Sequence, residues 1–217
     1  MASAWHTVVV LAVLAAWGYR GKVRMDRMGS LTHSDHIALY TRTILFEWLV
    51  LALVLLGVWL SGASLLTVLG ERWRSARHFF RDAGIGLLFL VAAILVTSIT
   101  GSHGSAGDKI TQFLLPQGRG EFALWVVLSI TAGICEEAIY RGYLQKQFIA
   151  LTRNVPAGIV LSALAFGAAH AYQGFGRAAT ISVLGAMGGT LAYWYGSVRP
   201  GMIAHALQDV LGGLVRH

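Results

Sequence analysis

Glu136, Glu137 and Arg141 stand together at the end of an apolar run, Phe122 to Cys135. A charge at the middle of a membrane helix costs roughly 2.5–3.5 kcal/mol on insertion scales, so such residues face partners or water and mark function. On a helix Glu137 and Arg141 are i and i+4, share a face and can pair. Glu136 points about 100° away from Glu137. One carboxylate is thereby neutralised and its neighbour is left for chemistry. The plainer reading is a helix end at the interface carrying a structural salt bridge. Further ionisable residues interrupt the apolar runs downstream. His170 closes Phe166-Gly167-Ala168-Ala169-His170, and His205 and Asp209 lie at i and i+4 on one face of a later run. A lone membrane histidine is more often a hydrogen-bonded core residue than a catalyst. A glutamate with two histidines is also the set that activates a water, by general base or through a metal. Cys135 adjoins Glu136, but a single cysteine in an apolar run reads as a small buried residue, not a nucleophile.

The elements that must position these residues are membrane helices. The chain has 217 residues, 56% hydrophobic and 12% charged, against about 25% charged in a soluble domain. This points to an all-α, polytopic transmembrane bundle in one membrane domain, 1–217, with about seven spans (six to eight). The net charge of +7 does not imply nucleic acid, because the basic residues cluster in short loops between apolar runs. With Cys135 alone there is no internal disulfide. The spans fall at about 5–18, 43–62, 83–100, 122–145, 155–172, 178–196 and 200–214. Residues 19–42 read as a basic loop, and residues 101–120 as a Gly- and Ser-rich loop with Pro116. Residues 63–82 read as an amphipathic helix end in the headgroup plane, with Arg72, Arg74, Arg77 and Arg81 solvated. Glu47, one turn inside the second span, is expected to be interfacial and favoured by the helix dipole. Pro156 and Pro200 mark first turns, and Gly185, Gly188 and Gly189 allow close helix contact. Nine Lys/Arg fall on one side and eight on the other, so the charge bias does not orient the chain. On rise per residue, Glu136 lies about 21 Å into its helix, and His205 and Asp209 bracket its level from the opposite side. His170 comes out roughly 10 Å too far toward the other side, unless residues 146–154 dip into the membrane or the fifth helix is strongly tilted.

The ordered trio Glu136-Glu137-x-x-x-Arg141, Phe166-x-x-x-His170 and His205-x-x-x-Asp209 resembles the CAAX prenyl endopeptidase and bacteriocin-processing (abortive-infection) family of intramembrane proteases. The likeness covers about residues 121–214, a protease core, and leaves the role of residues 1–120 unassigned. It implies a membrane endopeptidase, multi-pass in a prokaryotic plasma or inner membrane, that cleaves a peptide bond in or beside the bilayer. Its partners are membrane lipid and a peptide or membrane-anchored protein, with no nucleic acid. Glu136 and His170 would activate the water, His205 and the residue at 209 would stabilise the oxyanion, and Glu137 with Arg141 would hold the geometry. The family has been described both as glutamate-dependent and as metal-dependent, so zinc stays an open cofactor and the metal ligands are unassigned. Asp209 departs from the Asn common in the family. An ionised Asp only accepts hydrogen bonds. It would then orient His205, unless it is protonated and donates, or joins a metal site. Two other readings use the same residues: a proton-coupled transporter, and a non-catalytic scaffold or immunity member of the fold. The absence of internal repeats and mid-span breaks weighs against transport.

Overall fold

The computed structural model describes residues 2–27, 33–100, 110 and 112–214. Among them every regular element is helical, as expected of an all-α bundle. In order these are α1 (Ala4–Arg27), α2 (His33–Leu60), α3 (Leu66–Leu69), α4 (Ala76–Thr100), α5 (Arg119–Thr152), α6 (Val155–Ala169), a 3₁₀ turn (Ala171–Gln173), α7 (Phe175–Tyr195) and α8 (Arg199–Leu214). Among the described residues three helices, Asp35–Leu60, Ala76–Ile99 and Arg119–Thr152, are long and apolar enough to cross a membrane. Their outer faces leave Leu49, Trp59, Leu88, Leu95 and Val127 exposed. Such apolar surface is unfavourable in water and suited to lipid.

Several helices are longer than hydropathy predicts. The expected loop 19–42 is largely helix, since α1 continues to Arg27 and α2 begins at His33. An apolar window ends where lipid ends, but helical hydrogen bonding continues beyond it, and Arg and Lys are good helix formers. The expected amphipathic helix 63–82 is broken instead: α3 has four residues, Gly70 takes φ 83°, and α4 starts at Ala76. Most of the loop expected at 101–120 lies outside the described residues.

The centre is α5, flanked by α2 and α8, with α6 folded back along its C-terminal part. The α5–α6 turn is only Arg153 and Asn154. Arg153 takes the left-handed conformation (φ 53°), and the Asn154 side chain accepts from Ala157 N–H at 2.9 Å. Pro156 sits in the first turn of α6, where a missing N–H costs nothing. This hairpin removes the depth conflict for His170. Glu136 lies 16 residues before the end of α5 and His170 lies 15 residues after the start of α6. At 1.5 Å per residue both are about 22–24 Å from the turn. Residues 146–154, between the expected fourth and fifth spans, are mostly the last turns of α5.

The middle of α5 is not α-helical. Residues Glu137–Leu144 form a π-helix in which every residue is buried. Single π turns inside α-helices occur often at functional sites. Here Ser162 of α6 donates to the Tyr140 carbonyl at 2.7 Å. Gly142 lies against the Val68 carbonyl of α3, closely enough that a side chain would collide with backbone. From the other flank, His6 of α1 bonds through Nδ1 to the Tyr143 hydroxyl (2.6 Å), and Gln147 donates to Thr7 (2.6 Å) and to the Ala2 carbonyl (3.0 Å). The N-terminal helix therefore clamps the irregular segment.

The start of α8 is fixed by Asp82 of α4. This fully buried carboxylate accepts from Trp73 Nε1 (2.8 Å) and Tyr195 O–H (2.5 Å) and pairs with Arg199 (2.9 Å). Farther along, α8 presses on α5 at Gly133, where an added Cβ would meet the Met202 carbonyl at 2.7 Å. That approach carries His205 to the carboxylates of α5.

Candidate active site

Glu136 closes the regular first part of α5, and Glu137 opens the π-helix. Glu137 pairs with Arg141 at 3.0 Å, both 4% exposed. The Arg141 guanidinium also lies over the Phe166 ring, 4.3 Å from its centroid, a cation–π contact that suits a desolvated cation. Gly201 of α8 leaves room for this pair, since a Cβ there would stand 2.7 Å from Glu137 Oε2.

Glu136 has no such cation. Its Oε1 lies 3.7 Å from His170 Nε2 and its Oε2 lies 3.6 Å from His205 Nε2. His170 is aimed by its other nitrogen, Nδ1, which bonds the Phe166 carbonyl one turn back at 2.9 Å. A ring nitrogen next to a carbonyl must carry the proton, so neutral His170 presents an unprotonated Nε2 toward Glu136. His205 bridges the two glutamates. Its Nδ1 is 3.4 Å from Glu137 Oε1, and its Nε2 also lies 3.6 Å from Asp209 Oδ2. The expectation that Glu136 and Glu137 diverge from one another therefore holds only in part, because both reach the same imidazole. Asp209 is the most open of the group, with 35% of its side chain exposed. Its backbone carbonyl accepts from Trp125 Nε1 at 2.9 Å, which ties α8 to α5.

All six residues singled out in the sequence thus come together. They border one cavity of about 690 Å³ that reaches from Glu136 to Tyr172, Gln173 and the basic residues Arg42 and Arg177. Cys135 is fully buried beside the site and unbonded. Glu47 borders the same cavity, contrary to its expected interfacial position. Because α2 begins at His33, Glu47 is mid-helix, 7% exposed and beyond reach of the N-terminal dipole. The signal was present, a carboxylate within an apolar run; the misplaced helix start concealed it.

Chemically, a carboxylate flanked by two imidazoles can take a proton from water and pass it on. A metal is less well served. Among the described residues no group of three or more His, Cys, Asp or Glu side chains is disposed to hold a metal ion.

Residues 118–211 match the family model described as Type II CAAX prenyl endopeptidase Rce1-like. This part of the chain is similar to that family. No curated protein and no solved structure matches the chain. The Rce1-like match begins at Gly118, just before α5, and ends in α8, so it contains all six residues of the constellation. The family it resembles is one of CAAX-type membrane proteases, hydrolases of peptide bonds. With the apolar helices around it, the domain belongs to an integral membrane protein. Glu47 lies outside the matched residues.

Proposed function

We propose that the protein is an intramembrane endopeptidase in which Glu136 and His170 activate the attacking water. The observation that carries this reading is the Glu136 carboxylate set between His170 Nε2 (3.7 Å) and His205 Nε2 (3.6 Å) on the wall of a cavity. Glu136 takes the proton of a water lying between it and His170. The oxygen attacks the scissile carbonyl, and the proton passes from Glu136 to the departing nitrogen. His205 faces carboxylates through both nitrogens, and only the imidazolium offers an N–H to each. That cation lies where the oxyanion develops and offsets its charge. Asp209 orients His205 from the open side, and Glu137 with Arg141 fixes the π-helix that carries Glu136. The substrate is a peptide or membrane-anchored protein that reaches the cavity from the lipid or the membrane surface, and a prenylated chain fits the apolar surroundings.

The test is cleavage by purified full-length protein in proteoliposomes, with a peptide library containing farnesylated members and mass-spectrometric readout. Cleavage at defined bonds, undiminished by a chelator, is expected. A protein that inserts and folds yet cuts no peptide would overturn the reading in favour of a transporter or scaffold. Loss of cleavage with chelator, restored by zinc, would replace the glutamate mechanism with a metal one.

A further inference from the structure

Glu47 is a carboxyl that the water-activating arrangement leaves unused. It comes from α2, outside the Rce1-like match, and is 7% exposed. It borders the cavity that holds Glu136, His170 and Asp209. Its Oε2 has no hydrogen-bond partner among the described residues. Glu136 and Asp209, both of its own sign, line the same cavity. Burying a polar group unbonded is costly, and each such group in a native structure needs an explanation. Positions that break local rules of folding tend to be functional sites.

Peptide hydrolysis supplies the missing partner, and the inference rests on the protease reading above. Water adds its oxygen to the carbonyl carbon and gives one proton to Glu136. The C–N bond breaks, and the nitrogen takes that proton and leaves as an amine. The new carboxylic acid then gives its own proton to the amine, leaving a carboxylate and an ammonium. We propose that Glu47 binds this leaving nitrogen. It accepts an N–H hydrogen bond as the C–N bond breaks and holds the cationic product until release. The ligand class is therefore the amine fragment of the substrate, and the N-terminal half of the chain contributes a catalytic residue.

The experiment compares a quenched farnesylated peptide with its depsipeptide analogue, in which an ester replaces the scissile amide and the leaving oxygen has no N–H to offer. Full-length protein in proteoliposomes is assayed as wild type, Glu47→Leu and Glu47→Gln. Glu47→Leu should lower kcat on the amide by about 10²-fold, the scale of a lost acid–base contact. The loss on the ester should be at least an order of magnitude smaller. Glu47→Gln keeps an acceptor and should fall between. Thermal unfolding of both variants should stay at or above wild type, because Oε2 of Glu47 bonds nothing in the folded protein. Equal losses on amide and ester, a lowered Tm, or undiminished amide cleavage would overturn the assignment while the protease reading stands. Wild type that cleaves neither substrate would remove the protease reading and this assignment with it.

Discussion

Arg141 sets the two adjacent glutamates in different surroundings. Glu137 is charge-balanced by Arg141 at 3.0 Å, whereas Glu136 meets only imidazoles. Changing Glu137 to Gln leaves Arg141 as an uncompensated buried cation, so stability should fall by roughly 3–5 kcal/mol. Thermal unfolding in detergent measures that directly, and an unchanged Tm contradicts the pairing role. Asp209 tolerates more. It is a part-exposed ion-pair partner 3.6 Å from His205, and a pair of that kind is worth about 0–1 kcal/mol. Asp209→Asn should therefore keep kcat within about tenfold of wild type, whereas Asp209→Leu, which leaves nothing to orient the ring, should lose more. Equal kcat in the two variants would show that position 209 does not act on His205. These residues were legible in the sequence because a charge inside an apolar run is costly, and i, i+4 spacing names its neighbour on a helix. Glu47 carried the same signal and was misread, since hydropathy marks where lipid ends and not where a helix begins.

Among the elements, α5 decides the geometry. Its length and its two-residue turn into α6 set Glu136 opposite His170, and neither could be read from apolar runs, which stop at the polar residues Gln145 and Lys146 while the helix does not. The π-helix was equally hidden. It depends on contacts from other parts of the chain: Ser162 on the Tyr140 carbonyl, Val68 against Gly142, and the His6 bond to Tyr143. The close glycine contacts were foreseen only for α7, where Gly185 packs on Ala163 and Gly189 on Gln145. Gly201 was not foreseen, and it gives a sharp test. Gly201→Ala puts a methyl 2.7 Å from Glu137 Oε2, a side chain already held by Arg141. Such overpacking costs typically 1–3 kcal/mol and should displace Glu137 from Arg141. Both Tm and kcat should fall, and a variant with normal kcat would show that the α5–α8 spacing is not critical. By contrast Asn154→Ala, at an exposed helix cap, should cost about 1 kcal/mol in unfolding and leave kcat alone.

At the scale of the molecule, the bundle turns apolar faces outward and keeps its carboxylates and histidines on the wall of an inner cavity lined by residues from both halves of the chain. That inversion is what a hydrolytic site in a membrane needs, because water must be admitted to the carboxylates and kept from the lipid-facing backbone. The central claim is that Glu136 activates the water while its neighbour Glu137 only holds the frame. The measurement that tests it most directly is the single-turnover rate of peptide cleavage by Glu136→Gln in proteoliposomes, normalised to folded protein. Glutamine keeps the shape and removes the base, so the rate should fall by about 10²–10⁴-fold with Tm unchanged, the range of a lost general base. A Glu136→Gln protein that folds and cleaves at the wild-type rate would contradict the account.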